Sequence, residues 1–249
     1  MQKVFLLGST GFVGKNISSE LAKKYNVIEL ARSQFDFLNS NTFLEIDFSN
    51  SIIVDCINVN NGNAGEIINC NVNGFQMFID FITQNHVNVK YLYFSSISVL
   101  SEEIKKQNIY VNSKFIAEKY LMHSGLIYHI VRLSYPIGKG ENPNRLISRF
   151  IKSIKEKQTL SLSNIKINIT PIKCIANDIN SLVRFDGNRV TFFSSNVYLS
   201  LTEIVDKIGD LLNVKPNYTV TKSDNRFEPV SDNPINCSID LISCLKDMI

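Results

Sequence analysis

The sequence lacks a dominant charge: 26 Lys and Arg against 23 Asp and Glu leave a formal net charge of +3 over 249 residues. A nucleic-acid surface needs clustered Lys and Arg, so nucleic acid is not an expected partner. Long apolar runs are also missing. Nothing approaches the ~20 consecutive apolar residues that span a bilayer, and the run at residues 4–7 is too short for a secretory h-region. A soluble cytoplasmic protein away from the membrane is expected. The five cysteines, Cys56, Cys70, Cys174, Cys237 and Cys244, are odd in number and include no CxxC pair, which argues against a disulfide framework and against zinc. His86, His123 and His129 show no metal-ligand spacing, so no metal site is expected and no histidine is a catalytic candidate. What is present, 44% hydrophobic against 20% charged residues, is the balance of a folded globule with a sizeable core.

Short β-branched and aromatic runs at residues 4–7, 27–30, 52–57, 91–94 and 127–133 read as strands. Between them, residues 13–24, 72–83 and 111–123 place apolar side chains three and four apart, as in Phe75, Phe78, Ile79 and Ile82, and read as amphipathic crossover helices. The alternation predicts an α/β fold, a Rossmann-type doubly wound parallel sheet. From about Gly138 onward helical patterns persist at 145–157 and 201–212, with a strand-like run at 190–193. That stretch also holds five of the six prolines, Pro143, Pro171, Pro216, Pro229 and Pro234. A dinucleotide-binding domain over 1–140 and a small substrate-binding region over 141–249 are expected, with interleaved chain segments allowed.

The segment Gly8-Ser9-Thr10-Gly11-Phe12-Val13-Gly14 lies between the first strand and the first helix, where a phosphate-binding loop belongs. Gly8 supplies the tight turn, Gly11 lets the backbone approach a pyrophosphate, and Gly14 lets the helix pack closely. Thr10, Phe12 and Val13 complete the contact at the helix N-terminus. A glycine turn joining a strand to a helix is the competing reading. At the end of the second strand, where an acid would favour an unphosphorylated ribose, stand Arg32 and Ser33. A guanidinium there pairs with a 2′-phosphate, which favours NADP(H) while leaving NAD(H) open; a solvated Arg is the alternative. Asp36 meets either the adenine edge or its own backbone in an Asx turn.

After the fourth strand comes Ser95-Ser96, and beyond it Tyr110-Val111-Asn112-Ser113-Lys114. A spacing of four puts Tyr110 and Lys114 on one helical face. An ammonium there favours the phenolate, so Tyr110 can exchange a proton with an alkoxide near neutral pH. Ser96 hydrogen-bonds the same oxygen, and Lys114 also holds a ribose. Alone, such a pair more often marks a phenol packed on an alkyl stem.

Together, Gly8-x-x-Gly11-x-x-Gly14, Ile57-Asn58-Val59-Asn60, Asn71-Val72-Asn73-Gly74, Ser95-Ser96-x-x-Val99, Tyr110-x-x-x-Lys114 and the run from Arg132 to Gly138 resemble the extended short-chain dehydrogenase/reductases, specifically the NAD(P)-dependent epimerase/dehydratase family acting on nucleotide sugars. The resemblance implies a catalytic set of Ser96, Tyr110 and Lys114, a cofactor contact around Asn58, a nucleotide-sugar substrate and pairing as a homodimer. Within that family the compact size and the Arg32-Ser33 pair favour a reductase of a keto-deoxysugar such as a 4-keto-6-deoxyhexose; a 4-epimerase retaining NAD and a non-catalytic dinucleotide sensor are the alternatives. The family's 4,6-dehydratases carry an Asp-Glu pair where Ile97 and Ser98 stand, which disfavours elimination. Arg145 and Arg149 share one helical pattern, either as a diphosphate contact or, more commonly for such charges, as a solvated face.

Overall fold

The structure, a computed structural model, is described over residues 1–195, 198–221 and 240–249. Strand β1 (Lys3–Leu7) is followed by α1 (Phe12–Ala22), β2 (Asn26–Leu30), β3 (Ser51–Asp55), α2 (Ala64–Ile68), α3 (Phe75–Asn85), β4 (Lys90–Ser96), α4 (Glu102–Gln107), α5 (Ile109–His123) and β5 (Ile127–Leu133). Then come β6 (Tyr135–Ile137), α6 (Leu146–Lys155), β7 (Leu160–Ser163), β8 (Lys166–Pro171), α7 (Ile172–Leu182), β9 (Arg189–Phe193), β10 (Tyr198–Ser200), α8 (Leu201–Leu212), β11 (Tyr218–Thr221) and α9 (Leu241–Lys246).

The chain forms two compact units, residues 1–133 with 175–191, and residues 134–174 with 192–249. The division thus falls at the end of β5 rather than at residue 140, and α7 returns to the first unit. The cause lies in the sheet, whose order is β2-β1-β3-β4-β5-β9. The chain must come back to supply the edge strand beside β5. Side chains anchor that return: His129 Nδ1 donates to the Leu182 carbonyl and Nε2 accepts from the Thr191 hydroxyl, both at 2.7 Å. Burial pushes its imidazole down to about 4, so His129 is a neutral structural residue, as a lone packed histidine usually is.

Strands β2, β1, β3, β4 and β5 pair in parallel. All five residues of β3 are buried, as expected for a strand covered on both faces. The strand order reverses between β1 and β3, the switch point at whose carboxyl ends a doubly wound sheet binds its ligand. Between β2 and β3, residues 31–50 contain only a 3₁₀ turn at Ser40–Thr42 as regular structure. Rings hold this segment: Phe35 lies 5.3, 5.5, 6.4 and 4.8 Å from Phe37, Phe43, Phe48 and Phe78.

In the second unit β8 lies between β6, parallel, and β10, antiparallel, and β7 pairs with β11. Pro171, expected to interrupt structure, ends β8. Helix α8 is closed at its start by a Ser200/Glu203 capping box and at its end by Asn213 in the left-handed region. Cys56, Cys70 and Cys244 are free thiols, whereas Cys174 is disulfide-bonded, a pairing that the odd count and wide spacing did not announce. Cys237, Pro229 and Pro234 lie outside the described residues. Among the described residues no helix is long and apolar enough to cross a membrane, and no cluster of His, Cys, Asp or Glu is arranged to hold a metal.

Candidate active site

The glycine loop follows β1 at the switch point. Gly8 has φ +70°, a conformation costly for any residue with a Cβ, and its amide donates to the Leu30 carbonyl at 3.0 Å. The Gly11 amide closes the turn on the Gly8 carbonyl at 3.0 Å. A Cβ on Gly14 would overlap the Gly8 carbonyl and come within 2.9 Å of the Ser9 Cα, so this glycine exists to let α1 start against the loop. No side chain caps α1, whereas Asn108 caps α5 and Ser200 caps α8. Thr10 and Gly11 are exposed, Phe12 and Val13 partly so. A helix start without a side-chain cap, beside glycines at positions 8, 11 and 14, fits the pyrophosphate of a dinucleotide.

At the end of β2, the Arg32 side chain is 80% exposed and its Nε lies 3.2 Å from Asp36 Oδ2. Asp36 Oδ1 accepts the Leu38 amide at 3.0 Å, which is the Asx turn. The two residues that the sequence offered separately to the adenosine half of a cofactor thus form one ion pair, beside an exposed Ser33. Asn58 is exposed in the loop after β3. That loop is pinned by Asn71, only 5% exposed, which accepts the Val59 amide at 2.9 Å and donates to the Val59 carbonyl at 2.8 Å and to Ser113 Oγ at 3.1 Å. Asn71 stands in a π-helical turn, Asn69–Gly74, between α2 and α3, an irregularity that often accompanies functional sites.

Ser96 ends β4 and accepts the Ser98 amide at 3.2 Å, starting the 3₁₀ turn Ile97–Leu100. Asn108 Oδ1 takes the amides of Tyr110 and Val111 at 3.0 and 3.2 Å, so Tyr110 emerges from the first turn of α5. That helix packs on β4 and on the 3₁₀ turn, bringing the strand end that carries Ser96 and the helix face that carries Tyr110 and Lys114 into one region. Lys114 is 3% exposed; its Nζ donates to the Phe94 carbonyl at 3.0 Å and lies 4.4 Å from the Tyr93 ring centroid. Burial lowers the Lys114 ammonium, and the Asp55 carboxylate works against that.

Asp55 and Tyr91 escaped the sequence reading. Asp55, 1% exposed at the end of β3, accepts the Ile57 amide at 2.8 Å and the Tyr91 hydroxyl at 2.9 Å. Burial pushes its carboxyl up to about 6. The signal was available: Asp55 is the one charged residue in the strand Ser51–Asp55, which is otherwise composed of Ser, Ile and Val.

In the second unit Arg145 precedes α6, its guanidinium 4.4 Å from the Tyr135 ring centroid, while Arg149 is exposed along that helix.

The sequence profile of the NAD dependent epimerase/dehydratase family matches residues 4–171. No curated protein matches the chain in sequence. Among solved structures, it is similar to the Bordetella bronchiseptica enzyme WbmH in complex with NAD⁺, at TM-score 0.82 and 16% identity over 99% of this chain and 97% of that one. It is also similar to dTDP-4-dehydrorhamnose reductase from Bacillus anthracis in complex with NADP, at TM-score 0.77 and 21% identity over 90% and 85% of the two chains. A third is the Thermus thermophilus UDP-glucose 4-epimerase complex with NAD, at TM-score 0.77 and 13% identity over 99% and 97%. These likenesses carry the fold, and the profile carries the family: the chain belongs to the NAD dependent epimerase/dehydratase family.

Proposed function

We propose that the protein is a reductase of a nucleotide-linked keto-deoxysugar, such as a 4-keto-6-deoxyhexose, that prefers NADPH. One observation carries the reading: Lys114 is buried with its ammonium on the Phe94 carbonyl, two residues before Ser96 and one helical turn after Tyr110. The cofactor is a nicotinamide dinucleotide, and the loop from Gly8 to Gly14, the segment around Asn58 and Lys114 would hold it in this reading. When bound, it supplies the hydride. Tyr110 delivers the proton to the carbonyl oxygen, Ser96 donates a hydrogen bond to that oxygen, and the Lys114 charge favours the phenolate that remains.

The preference for NADPH rests on Arg32. Its exposed guanidinium, held by a surface pair with Asp36, can exchange that partner for a 2′-phosphate, since an exposed pair is worth at most about 1 kcal/mol. The turn after Ser96 offers Ile97 and Ser98 where elimination would need an acid and a base.

The test mixes purified protein with NADPH and a panel of nucleotide-linked 4-ketosugars while the absorbance of the reduced cofactor is followed. Stoichiometric consumption is expected. Sugar interconversion without consumption would make the protein an epimerase, and cofactor binding with neither would leave a dinucleotide sensor.

A further inference from the structure

The core beside Lys114 contains ionisable groups that the proposed reaction leaves unused, and what they imply rests on that reading. Asp55 of β3 and Tyr93 of β4 are register partners, so their side chains leave the sheet on the same face. Tyr91, two residues earlier on β4, shares that face and donates its hydroxyl proton to Asp55 at 2.9 Å. Lys114 arrives from α5 against the same ring layer, 4.4 Å from the Tyr93 centroid. One carboxylate and one ammonium are therefore enclosed together, 1% and 3% exposed. Neither would keep its charge there without a counter-charge, because burial alone drives both toward the neutral form.

Other groups around the pair are engaged or neutral. Glu118, also on α5, is fully buried but committed to Arg132, with Oε2 2.6 Å from Nη2 and Oε1 3.0 Å from Nε. The thiols of Cys56 and Cys70 and the phenols of Tyr91 and Tyr93 are pushed up by burial and remain protonated at neutral pH. Among the described residues this leaves Asp55 as the anion available to Lys114. Its two oxygens are oriented by the Ile57 amide and the Tyr91 hydroxyl, so it is fixed in place.

We propose that Asp55 is a positioning residue for the reaction, with Tyr91 as its anchor: the carboxylate keeps charged the Lys114 ammonium that the Phe94 carbonyl holds one helical turn from Tyr110. The support is conditional. Below about pH 6 Asp55 takes up a proton and the counter-charge is withdrawn, so the rate falls on the acid side while the fold persists. Because the folded carboxyl titrates above its unfolded value, protonation does not destabilise the protein. The folded state gains stability, relative to neutral pH, as pH drops through about 6.

The experiment reads Lys114 directly. The ¹³Cε resonance of Lys114, assigned by its loss in Lys114→Gln, is titrated in the cofactor-free protein for wild type, Asp55→Asn and Tyr91→Phe. Asn is close in shape and keeps an acceptor for the Ile57 amide. In Asp55→Asn the half-titration of Lys114 is expected to fall by about one pH unit or more, with the alkaline limb of kcat moving with it. An unmoved Lys114 titration in a folded Asp55→Asn protein overturns the proposal. Should that variant not fold, Tyr91→Phe decides: loss of the donor raises the Asp55 ¹³Cγ titration, and the acid limb of kcat must rise with it. An acid limb that stays put overturns the proposal. A shifted Lys114 in a protein that turns over no ketosugar supports the Asp55 link and removes the reductase reading, so the two failures are distinguishable.

Discussion

The two units are built from different hydrophobic material. Around the sheet of the first, Phe35, Phe43, Phe48, Phe75 and Phe78 meet one another and Tyr91 edge to face or tilted. The second has a core cluster in which Phe150 is the one phenylalanine, among Ile, Leu and Val from α6, α8 and the small sheets, with Phe193 buried separately at the end of β9. The first unit must secure residues 31–50, which carry almost no ladder of their own. Rings do this with large area and few torsions to freeze. The second unit has amphipathic helices whose apolar stripes interdigitate without help from ring geometry. The residues proposed for the chemistry, Ser96, Tyr110 and Lys114, all belong to the ring-packed unit.

Four measurements put this contrast to the test. The largest effect belongs to Tyr110→Phe, which should lower kcat by roughly 10²- to 10⁴-fold while leaving dinucleotide affinity unchanged; substantial turnover would take the proton step away from the first unit. Next, Phe78→Ala should cost about 3–5 kcal/mol in chemical denaturation, because Phe35, Phe43 and Phe48 cannot all collapse into the hole. A loss near 1 kcal/mol would show that the rings are loosely packed. Arg32→Ala should weaken NADPH about 10- to 100-fold and NADH little, as measured by fluorescence titration, from the loss of a charge-assisted bond. Equal weakening of both cofactors would remove Arg32 from the 2′-phosphate. The smallest effect is Ile204→Val in α8, about 0.5–1.5 kcal/mol with unchanged kcat, since one methylene leaves a hole that aliphatic neighbours can partly fill.

Much of the first unit was legible because its periods are clean. The five strands from β1 to β5 and the helices α1, α3 and α5 lie close to the ranges that alternation predicted, and the glycine loop stands between β1 and α1. The edge strand β9 was visible too, and the second unit was read in part: α6 and α8 were visible, whereas β7, β10 and β11 are three or four residues long, too short to show a period. Helix α7 starts directly after Pro171, a residue read as interrupting structure. In the site, Ser96, Tyr110 and Lys114 announce themselves by spacing along the chain. The contact of Asp55 with Tyr91 spans 36 positions, and that of Asn71 with Ser113 spans 42, so only the folded sheet reveals them. Arg32 and Asp36 were both visible as candidates; that they pair with each other is a matter of geometry four residues apart.

The edge strand beside β5 has a consequence for biosynthesis. A chain growing from the ribosome holds β1 to β5 by residue 133, but β9, which covers the outer edge of β5, is not available until residues 189–193 have emerged. During that interval β5 presents a row of unpaired amides and carbonyls, the kind of edge that templates pairing with another nascent chain. Translation through the intervening β6, α6, β7, β8 and α7 is therefore the period of greatest aggregation risk. A chain truncated before residue 189 should accumulate as insoluble protein even though it carries every residue assigned to the chemistry.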